Sequence, residues 1–209
     1  MDPSFWQQRW STGQIGFHEG RPNRYLERHV ERLANCPRVL VPMCGKTEDV
    51  AFLASRGHEV IGLELVEDAV KAFFSEHSLT PAVTPHGELV EYTAGSISMY
   101  AGDLFATTRS QLGAIDGVYD RGALVALPDD MRRRYVDHVR ALVGKGGRIL
   151  LVSFEYDQSL KQGPPFSVTE AELHALFDGT QIELLSEGPD PDEREGWPPR
   201  FERCWAITL

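Results

Sequence analysis

Short apolar runs alternate with helical patterns along most of the chain, which predicts strands and helices in turn. Residues 39–41 form a continuous apolar run typical of a buried parallel strand. A helical pattern over residues 47–56 ends at Gly57, and a second apolar run covers residues 59–65. This order of strand, turn, helix and strand predicts half of a doubly wound α/β domain.

The remaining pattern predicts further strands and helices on both sides of this unit. A helix near the start carries Phe5, Trp6 and Trp10 on one face. Residues 80–87 contain two prolines and predict a loop. The other predicted helices cover residues 25–33, 66–77 and 130–143, and one more begins after Ser167 or Thr169. The other predicted strands are a hairpin over 88–93 and 96–100, core strands over 115–120 and 147–154, and an antiparallel pair over 181–186 and 201–208.

The turn after the first strand and the end of the second strand carry the first candidate chemistry. The turn is Pro42-Met43-Cys44-Gly45, in which Gly45 permits close approach to a ligand, and Glu64 follows 19 residues later. A carboxylate in this position can accept hydrogen bonds from both hydroxyl groups of a ribose. The sequence therefore predicts a nucleoside-containing cofactor here.

The small number of glycines limits which cofactor this can be. A pyrophosphate needs several exposed backbone N–H groups, and this turn has a single glycine rather than G-x-G-x-x-G. A P-loop would need glycine at position 40, where the chain has Leu40. S-adenosylmethionine, which has a ribose and an adenine but no phosphate, fits better than NAD.

Two further strand ends carry polar candidates. Asp103 lies where a carboxylate could bind the amino group of adenine, although aspartate in such a place also often caps a turn or helix. Arg121 follows the strand over 115–120, at the sheet edge where ligands of open α/β sheets bind. We expect Asp120 to orient Arg121 through a charge-assisted hydrogen bond, the alternative being a salt bridge without a ligand role.

Two segments outside the core patterns are also notable. Trp10 and Phe17 flank a loop that contains Gly13 and Gly16, so residues 1–20 are a candidate lid that excludes water. For Phe5 and Trp6, packing of the helix on the core is the favoured interpretation. Residues 188–200 are acidic and proline-rich, which predicts a mobile loop.

Size and charge narrow the class of protein. With 209 residues and no linker, the chain predicts a single domain. The 21 basic and 31 acidic residues give a net charge of −10 with no basic block, which argues against a nucleic-acid partner.

The start has no signal-peptide pattern, and no apolar run is long enough to span a membrane, so a cytoplasmic protein is expected. The seven histidines and three cysteines are dispersed, and no metal site is expected.

Nearly the whole chain resembles the bacterial thiopurine S-methyltransferases. The motifs that carry the resemblance are F-W-x-x-R-W, I-G-F-H, V-P-M-C-G-K, R-G-H-x-V-x-G-x-E, Y-D-R-G-A-L-V-A-L and G-P-P-F. The resemblance implies a class I methyltransferase fold, which is a Rossmann-like, seven-stranded, mostly parallel sheet with an antiparallel last strand and helices on both faces. It implies cofactor contacts at Trp10, Met43, Glu64, Asp103 with Leu104, and Arg121, and a substrate contact at Phe17. Met43 departs from the leucine usual in the family, a change that conserves volume.

The resemblance also implies S-methylation of thiopurines and other aromatic or heterocyclic thiols with S-adenosylmethionine, and a link to selenium and tellurium detoxification. The expected partner is thus a small-molecule thiol, and we expect a monomer. Because such thiols are acidic, we expect Arg121, held by Asp120, to stabilise the thiolate without a dedicated base. Two alternatives remain open, an NAD-linked oxidoreductase and a module that binds S-adenosylmethionine without turnover.

Overall fold

A mixed β-sheet forms the centre of the molecule in the computed structural model, which describes residues 3–15, 18–190 and 196–209. Within those residues the sheet has nine strands. They are β1 (Arg38–Pro42), β2 (Glu59–Glu64), β3 (Ala82–His86), β4 (Leu89–Ala94), β5 (Ile97–Ala101), β6 (Gly117–Asp120), β7 (Arg148–Glu155), β8 (Gln181–Pro189) and β9 (Phe201–Thr208).

Helices cover the sheet and connect its strands. They are α1 (Pro3–Ser11), α2 (Arg24–His29), α3 (Glu48–Ser55), α4 (Glu67–Glu76), α5 (Arg109–Leu112), α6 (Asp129–Val143) and α7 (Glu170–Leu176), with short 3-10 helices at Val30–Leu33, Leu104–Ala106 and Leu124–Ala126. In the part of the chain that the structure describes, every helix is too short or too polar to cross a membrane.

The strand order is β3-β4-β5-β2-β1-β6-β7-β9-β8. The five strands from β5 to β7 in this order are mutually parallel. Strand β9 is antiparallel to both β7 and β8, and β3 and β4 extend the other edge in antiparallel fashion. The chain moves from β1 outwards through β2 and then returns to β6 on the other side of β1, so β1 and β6 flank the point where the strand order reverses.

Alternating side chains of the parallel strands enter two separate cores. Val39 and Val41 of β1 point to the face covered by α2, α3 and α4, whereas Leu40 points to the face covered by α6 and α7. Both faces are therefore apolar, which explains why the sequence shows a continuous apolar run instead of an alternating pattern.

The sheet is larger than the resemblance implied, so the expectation of seven strands is wrong. The loop predicted over 80–87 is also wrong, because Ala82–His86 forms the edge strand β3. Strand β3 is mostly exposed and therefore lacks an apolar pattern. Its Pro85 is compatible with an edge, where no outer strand needs its N–H.

The last hairpin is longer than predicted, because β8 extends to Pro189. The N–H of Asp190 donates to the carbonyl of Arg200 at 2.9 Å, and the two side chains form an ion pair. The buried guanidinium of Arg200 also lies 5.1 Å from the ring centroid of Phe154. These contacts hold the described ends of the segment 188–200, while residues 191–195 lie outside the described residues.

Helix α1 carries two aromatic side chains in mutual contact. Phe5 and Trp6 contact each other edge to face, with ring centroids 5.2 Å apart, and the Arg9 guanidinium lies over the Phe5 ring. Both aromatic side chains are half-buried. The packing of this helix on the core by Phe5 and Trp6 stays a prediction.

Asp49 joins the start of α3 to the segment that precedes α2. Only 2% of the residue is exposed. Its Oδ1 accepts the N–H of Asn23 at 2.7 Å, and its Oδ2 accepts the hydroxyl of Thr47 at 3.0 Å. Burial raises the pKa of the Asp49 carboxyl from 3.8 to about 6, although these hydrogen bonds act in the opposite direction.

We expect Asp49→Asn to flatten the pH dependence of stability. Because the pKa of Asp49 is higher in the folded state, ionisation of this residue lowers stability as the pH rises from about 3.8 to about 6, and the loss persists above that range. Between about pH 5 and about pH 8, the variant should therefore gain about 1.4 kcal/mol relative to the wild type, which corresponds to about one pH unit of this shift. Urea unfolding at several pH values measures this difference.

The matched control is Asp116→Asn, which changes a half-buried carboxylate whose Oδ2 also accepts a backbone N–H, that of Arg38 at 3.0 Å. An equal gain in both variants, or no gain in Asp49→Asn, would contradict the assignment of the pH effect to Asp49.

Candidate functional site

The candidate site lies at the carboxyl ends of β1, β2 and β6. Pro42 at the end of β1 pairs with Leu63 of β2, and Leu40 pairs with Val118 of β6. The turn after β1, the end of β2 and the turn after β6 are therefore neighbours at the point where the strand order reverses. Open α/β sheets bind their ligands in this position.

The turn after β1 has an unusual backbone, with two residues at positive φ. Met43 has φ 48° and Gly45 has φ 56°, so both adopt left-handed conformations. Glycine has no steric penalty there, whereas Met43 is held in place by packing of its side chain against the core. The N–H of Cys44 donates to the carbonyl of Leu63 at 3.0 Å, and Thr47 then caps α3.

Glu64 binds this turn to the end of β2. The residue is 7% exposed. Its Oε2 accepts the N–H of Gly45 at 2.7 Å, and its Oε1 accepts the N–H of Val66 at 2.8 Å. Burial raises the pKa of the Glu64 carboxyl, and the bonds from Val66 and Gly45 act against this rise.

The Glu64 carboxylate and the turn at Gly45 together fit a nucleoside cofactor of the S-adenosylmethionine type. A carboxylate offers about four acceptor positions, so the Glu64 carboxylate can accept ribose hydroxyl groups in addition to its two N–H partners. Gly45 presents bare backbone next to this carboxylate. The turn has a single glycine, which suits a ribose better than a pyrophosphate.

Asp103 and Leu104 follow β5 on the same side of the sheet. Asp103 is exposed, and its Oδ1 accepts the N–H of Phe105 at 2.9 Å, so it caps the 3-10 helix Leu104–Ala106. The capping role considered in the sequence analysis is therefore present. The Leu104 side chain is buried in the core on the α6 side, which leaves its backbone as the part available to a ligand.

Asp120 does not orient Arg121, so the predicted hydrogen bond between them is wrong. Asp120 is 2% exposed, and its Oδ1 accepts the N–H groups of Ala123 at 3.0 Å and Leu124 at 3.2 Å. Its Oδ2 accepts the hydroxyl of Tyr135 at 2.6 Å. Burial raises the pKa of Asp120, and these bonds oppose the rise. The carboxylate turns back into the fold because the backbone after β6 bends into the 3-10 helix and presents its N–H groups there.

Arg121 forms an ion pair with Glu19, which sequence reasoning missed. The contact joins Nη2 of Arg121 to Oε1 of Glu19, and each side chain is 16% exposed. The two residues are 102 positions apart in the sequence. The segment before α2 therefore crosses the carboxyl edge of the sheet next to β6. No local sequence pattern around Glu19 identifies Arg121 as its partner.

The neighbouring His18 lies in a mixed electrostatic environment. Burial, and then the positive charge of Lys46, lower the pKa of His18, so the imidazole is mostly neutral at neutral pH. Lys46 in turn forms an ion pair with Glu76 of α4. His18 is thus a neutral neighbour of the charged pair formed by Glu19 and Arg121.

Trp10 and Phe17 are the two aromatic candidates of the N-terminal segment. Trp10 is half-buried near the end of α1, and its carbonyl accepts the N–H of Gly13 at 3.2 Å. Phe17, the candidate substrate contact, lies outside the described residues. The roles of both residues stay predictions.

The three cysteines are free thiols, and all are buried. Cys44 is next to Gly45, and burial raises the pKa of its thiol well above the usual value, with the Glu64 charge adding to the effect. Burial also raises the pKa of Cys36, and it raises that of Cys204 to about 12. Among the described residues, no group of three or more His, Cys, Asp or Glu side chains is arranged to hold a metal ion.

Comparison with known proteins gives consistent matches over the whole chain. A family model described as thiopurine S-methyltransferase matches residues 1–198. A thiopurine S-methyltransferase of Pseudomonas putida is 46% identical, and the alignment covers 100% of this chain and 96% of that protein. A thiopurine S-methyltransferase of Xanthobacter autotrophicus is 44% identical, with 99% of each chain covered.

Solved structures show the same fold at lower identity. The Burkholderia thailandensis 1,6-didemethyltoxoflavin-N1-methyltransferase, which was solved with S-adenosylhomocysteine bound, is 18% identical with a TM-score of 0.65 over 99% of this chain and 87% of that one. A SAM-dependent methyltransferase of Anabaena variabilis is 19% identical with a TM-score of 0.62, over 99% and 94% of the two chains. The α/β fold is therefore that of class I S-adenosylmethionine-dependent methyltransferases.

We expect Asp120→Ala to destabilise the protein far more than Arg121→Ala. The first substitution leaves the Tyr135 hydroxyl and buried N–H groups after β6 without their acceptor, which should cost about 2–4 kcal/mol. Removing Arg121 leaves the Glu19 carboxylate with 16% of its side chain in contact with solvent, so it should cost less than removing the acceptor Asp120, which is 2% exposed. Urea unfolding followed by circular dichroism compares the two, and Tyr135→Phe isolates the hydroxyl bond. Equal losses would show that Asp120 is not the structural member of the two.

Proposed function

Since the chain belongs to the thiopurine S-methyltransferase family, we propose that it transfers a methyl group from S-adenosylmethionine to the sulfur of thiopurines and other aromatic or heterocyclic thiols. The observation that best supports a nucleoside cofactor is the hydrogen bond between the Glu64 carboxylate and Gly45 N–H at the reversal of strand order. When bound, S-adenosylmethionine supplies an electrophilic methyl group on a sulfonium sulfur.

In this proposal, the chain contributes chiefly binding and alignment. The Glu64 carboxylate accepts the ribose hydroxyl groups, and the backbone at Met43 and Gly45 lies against the cofactor. Asp103 and the backbone of Leu104 contact the adenine, and Trp10 packs against the sulfonium group. Fixing the methyl group in line with the attacking sulfur removes much of the entropic part of the barrier.

Arg121 is the proposed catalytic residue on the substrate side. Its guanidinium favours the ionised thiol electrostatically and so raises the fraction of the nucleophilic form. Asp120 serves this role indirectly, as the buried acceptor that fixes the backbone from which Arg121 projects. Phe17 is proposed to contact the ring of the thiol.

The two alternatives have less support. An NAD-linked oxidoreductase would need a turn that cradles a pyrophosphate, and the turn at Gly45 has a single glycine. A module that binds the cofactor without turnover shares the same Glu64 geometry, so activity must decide. Incubation with methyl-labelled S-adenosylmethionine and a panel of aryl thiols should give labelled thioethers. Cofactor binding without any labelled product would favour the non-catalytic module.

Three further statements about this protein stay proposals. We propose that it acts as a monomer and in the cytoplasm. A contribution to selenium and tellurium detoxification is proposed from the resemblance of its motifs alone.

We expect Glu64→Gln to weaken the binding of S-adenosylhomocysteine by about 1.5–3 kcal/mol, because charge-assisted hydrogen bonds to the ribose are lost. Calorimetry measures this loss of affinity. The amide also places an NH₂ group against the N–H of Gly45 or Val66, so urea unfolding must establish the folded fraction first.

The control for this variant is Glu59→Gln at the other end of β2, where the carboxylate is exposed and pairs with Arg38. This variant should bind with wild-type affinity. Unchanged affinity in Glu64→Gln would remove Glu64 from the cofactor site.

We expect Arg121→Met to reduce kcat/KM most for thiols of high pKa, by about 10- to 100-fold. A thiol that is already ionised at the assay pH needs less stabilisation, so its loss should be smaller. The measurement is log(kcat/KM) against thiol pKa for wild type and variant at saturating cofactor, with Arg121→Lys as the charge-conserving control. A uniform loss together with weaker cofactor binding would instead assign Arg121 to the cofactor.

A further inference from the structure

The ion pair between Glu19 and Arg121 places a carboxylate of the chain itself on the proposed catalytic arginine. Both side chains are largely withdrawn from solvent, with 16% exposed on each. An ion pair of this kind is screened far less than a surface pair. A second anion that approaches Arg121 therefore meets the negative charge of Glu19 at short range.

Glu19 is positioned by an anchor a few residues further along the chain. The N–H of Asn23 donates to buried Asp49, and the Asn23 side chain accepts the N–H of Tyr25 to cap α2. Between Glu19 and this anchor lies Gly20, which has φ 65° and open space at the position of a Cβ. The carboxylate is thus held near Arg121 by a short connection that begins at a glycine.

The other charged groups near Arg121 do not remove this negative potential. Burial raises the pKa of the Glu202 carboxyl, and the positive charges of Arg24, to which it is bonded, and of Arg121 act against this rise. Burial lowers the pKa of His18, and the positive charges of Lys46 and Arg121 add to this effect. His18 is mostly neutral at neutral pH, as described above. The Glu202 carboxylate is paired with Arg24, and Glu19 is the carboxylate in direct contact with the Arg121 guanidinium.

We propose that Glu19 determines substrate selectivity by occupying the anion position of Arg121. This inference rests on the proposed function. A thiol enters as a single anion that shares the guanidinium with Glu19 or displaces it. A thiol with a carboxylate next to its sulfur brings a second negative charge to the same place, and the repulsion from Glu19 disfavours it. The site is thereby selective for thiols without a further anionic group.

The test compares 2-mercaptobenzoate with its methyl ester in the wild type and in Glu19→Gln. The two thiols have similar shapes and differ by one negative charge beside the sulfur. The wild type should prefer the ester, and Glu19→Gln should raise kcat/KM for the acid relative to the ester by at least about tenfold, because like-charge repulsion is removed. Equal changes for both thiols, or no change, would overturn the proposal.

A binding measurement separates this inference from the proposed function. Calorimetry of the full chain with saturating S-adenosylhomocysteine should show tighter binding of benzoate to Glu19→Gln than to the wild type, with benzamide unaffected. This result would support the role of Glu19 even if no thiol were methylated, an outcome that would refute the proposed function alone. Unchanged benzoate affinity would overturn the proposal about Glu19.

Three variants guard against indirect effects. Glu183→Gln removes the same charge from an exposed pair with Arg32. The carbonyl of Arg32 accepts a hydrogen bond from Arg148 at the start of β7, so this pair lies at the opposite end of the sheet from Arg121. This variant should leave the acid-to-ester ratio of kcat/KM unchanged. Glu19→Asp keeps the charge and should keep the preference for the ester. Combining Glu19→Gln with Arg121→Gln should abolish the gain for the acid, and a gain that persists without Arg121 would overturn the proposal.

Discussion

The hydrogen bonds of one buried carboxylate hold together the parts of the sheet edge on which the site depends. Glu64 accepts the N–H of Gly45 on one oxygen and that of Val66 on the other, so the turn after β1, the end of β2 and the entry to α4 are fixed relative to each other. This arrangement requires left-handed backbone at Gly45 and also at Met43, where a non-glycine residue carries the strain. Burying the carboxylate has an electrostatic cost that backbone donors reduce, and the result is an acceptor aligned before any ligand arrives.

Local patterns in the sequence predicted the centre of the fold well. The apolar run at β1, the helix stop at Gly57 and the position of Glu64 all follow from rules that act over a few residues, and the structure confirms each of them. The prediction was wrong at β3, where an exposed edge strand lacks an apolar pattern and contains Pro85. It was also wrong about the number of strands, because the resemblance described a common core and not the antiparallel strands added at its edge.

The parts of the site that could not be predicted depend on contacts between distant residues. Asp120 was placed correctly at the end of β6, but its partner could not be chosen from sequence, since the Tyr135 hydroxyl and the N–H groups after β6 compete with Arg121 for it. The partner of Arg121, Glu19, comes from a segment 102 residues earlier. The helical pattern over residues 47–56 likewise gave no sign that Asp49 anchors Asn23, which lies 26 residues before it.

The burial of the three thiols has a consequence for a protein proposed to handle thiol compounds. Aryl thiols oxidise to disulfides, and these exchange with any accessible thiolate of a protein to leave a mixed disulfide on it. Cys44 lies in the turn after β1, at the carboxyl edge of the sheet, and is by position the thiol nearest to this hazard, yet its burial and raised pKa leave almost no thiolate to attack. Cys36 and Cys204 are protected in the same way. Burial of the three cysteines therefore protects the protein from forming mixed disulfides with oxidised aryl thiols.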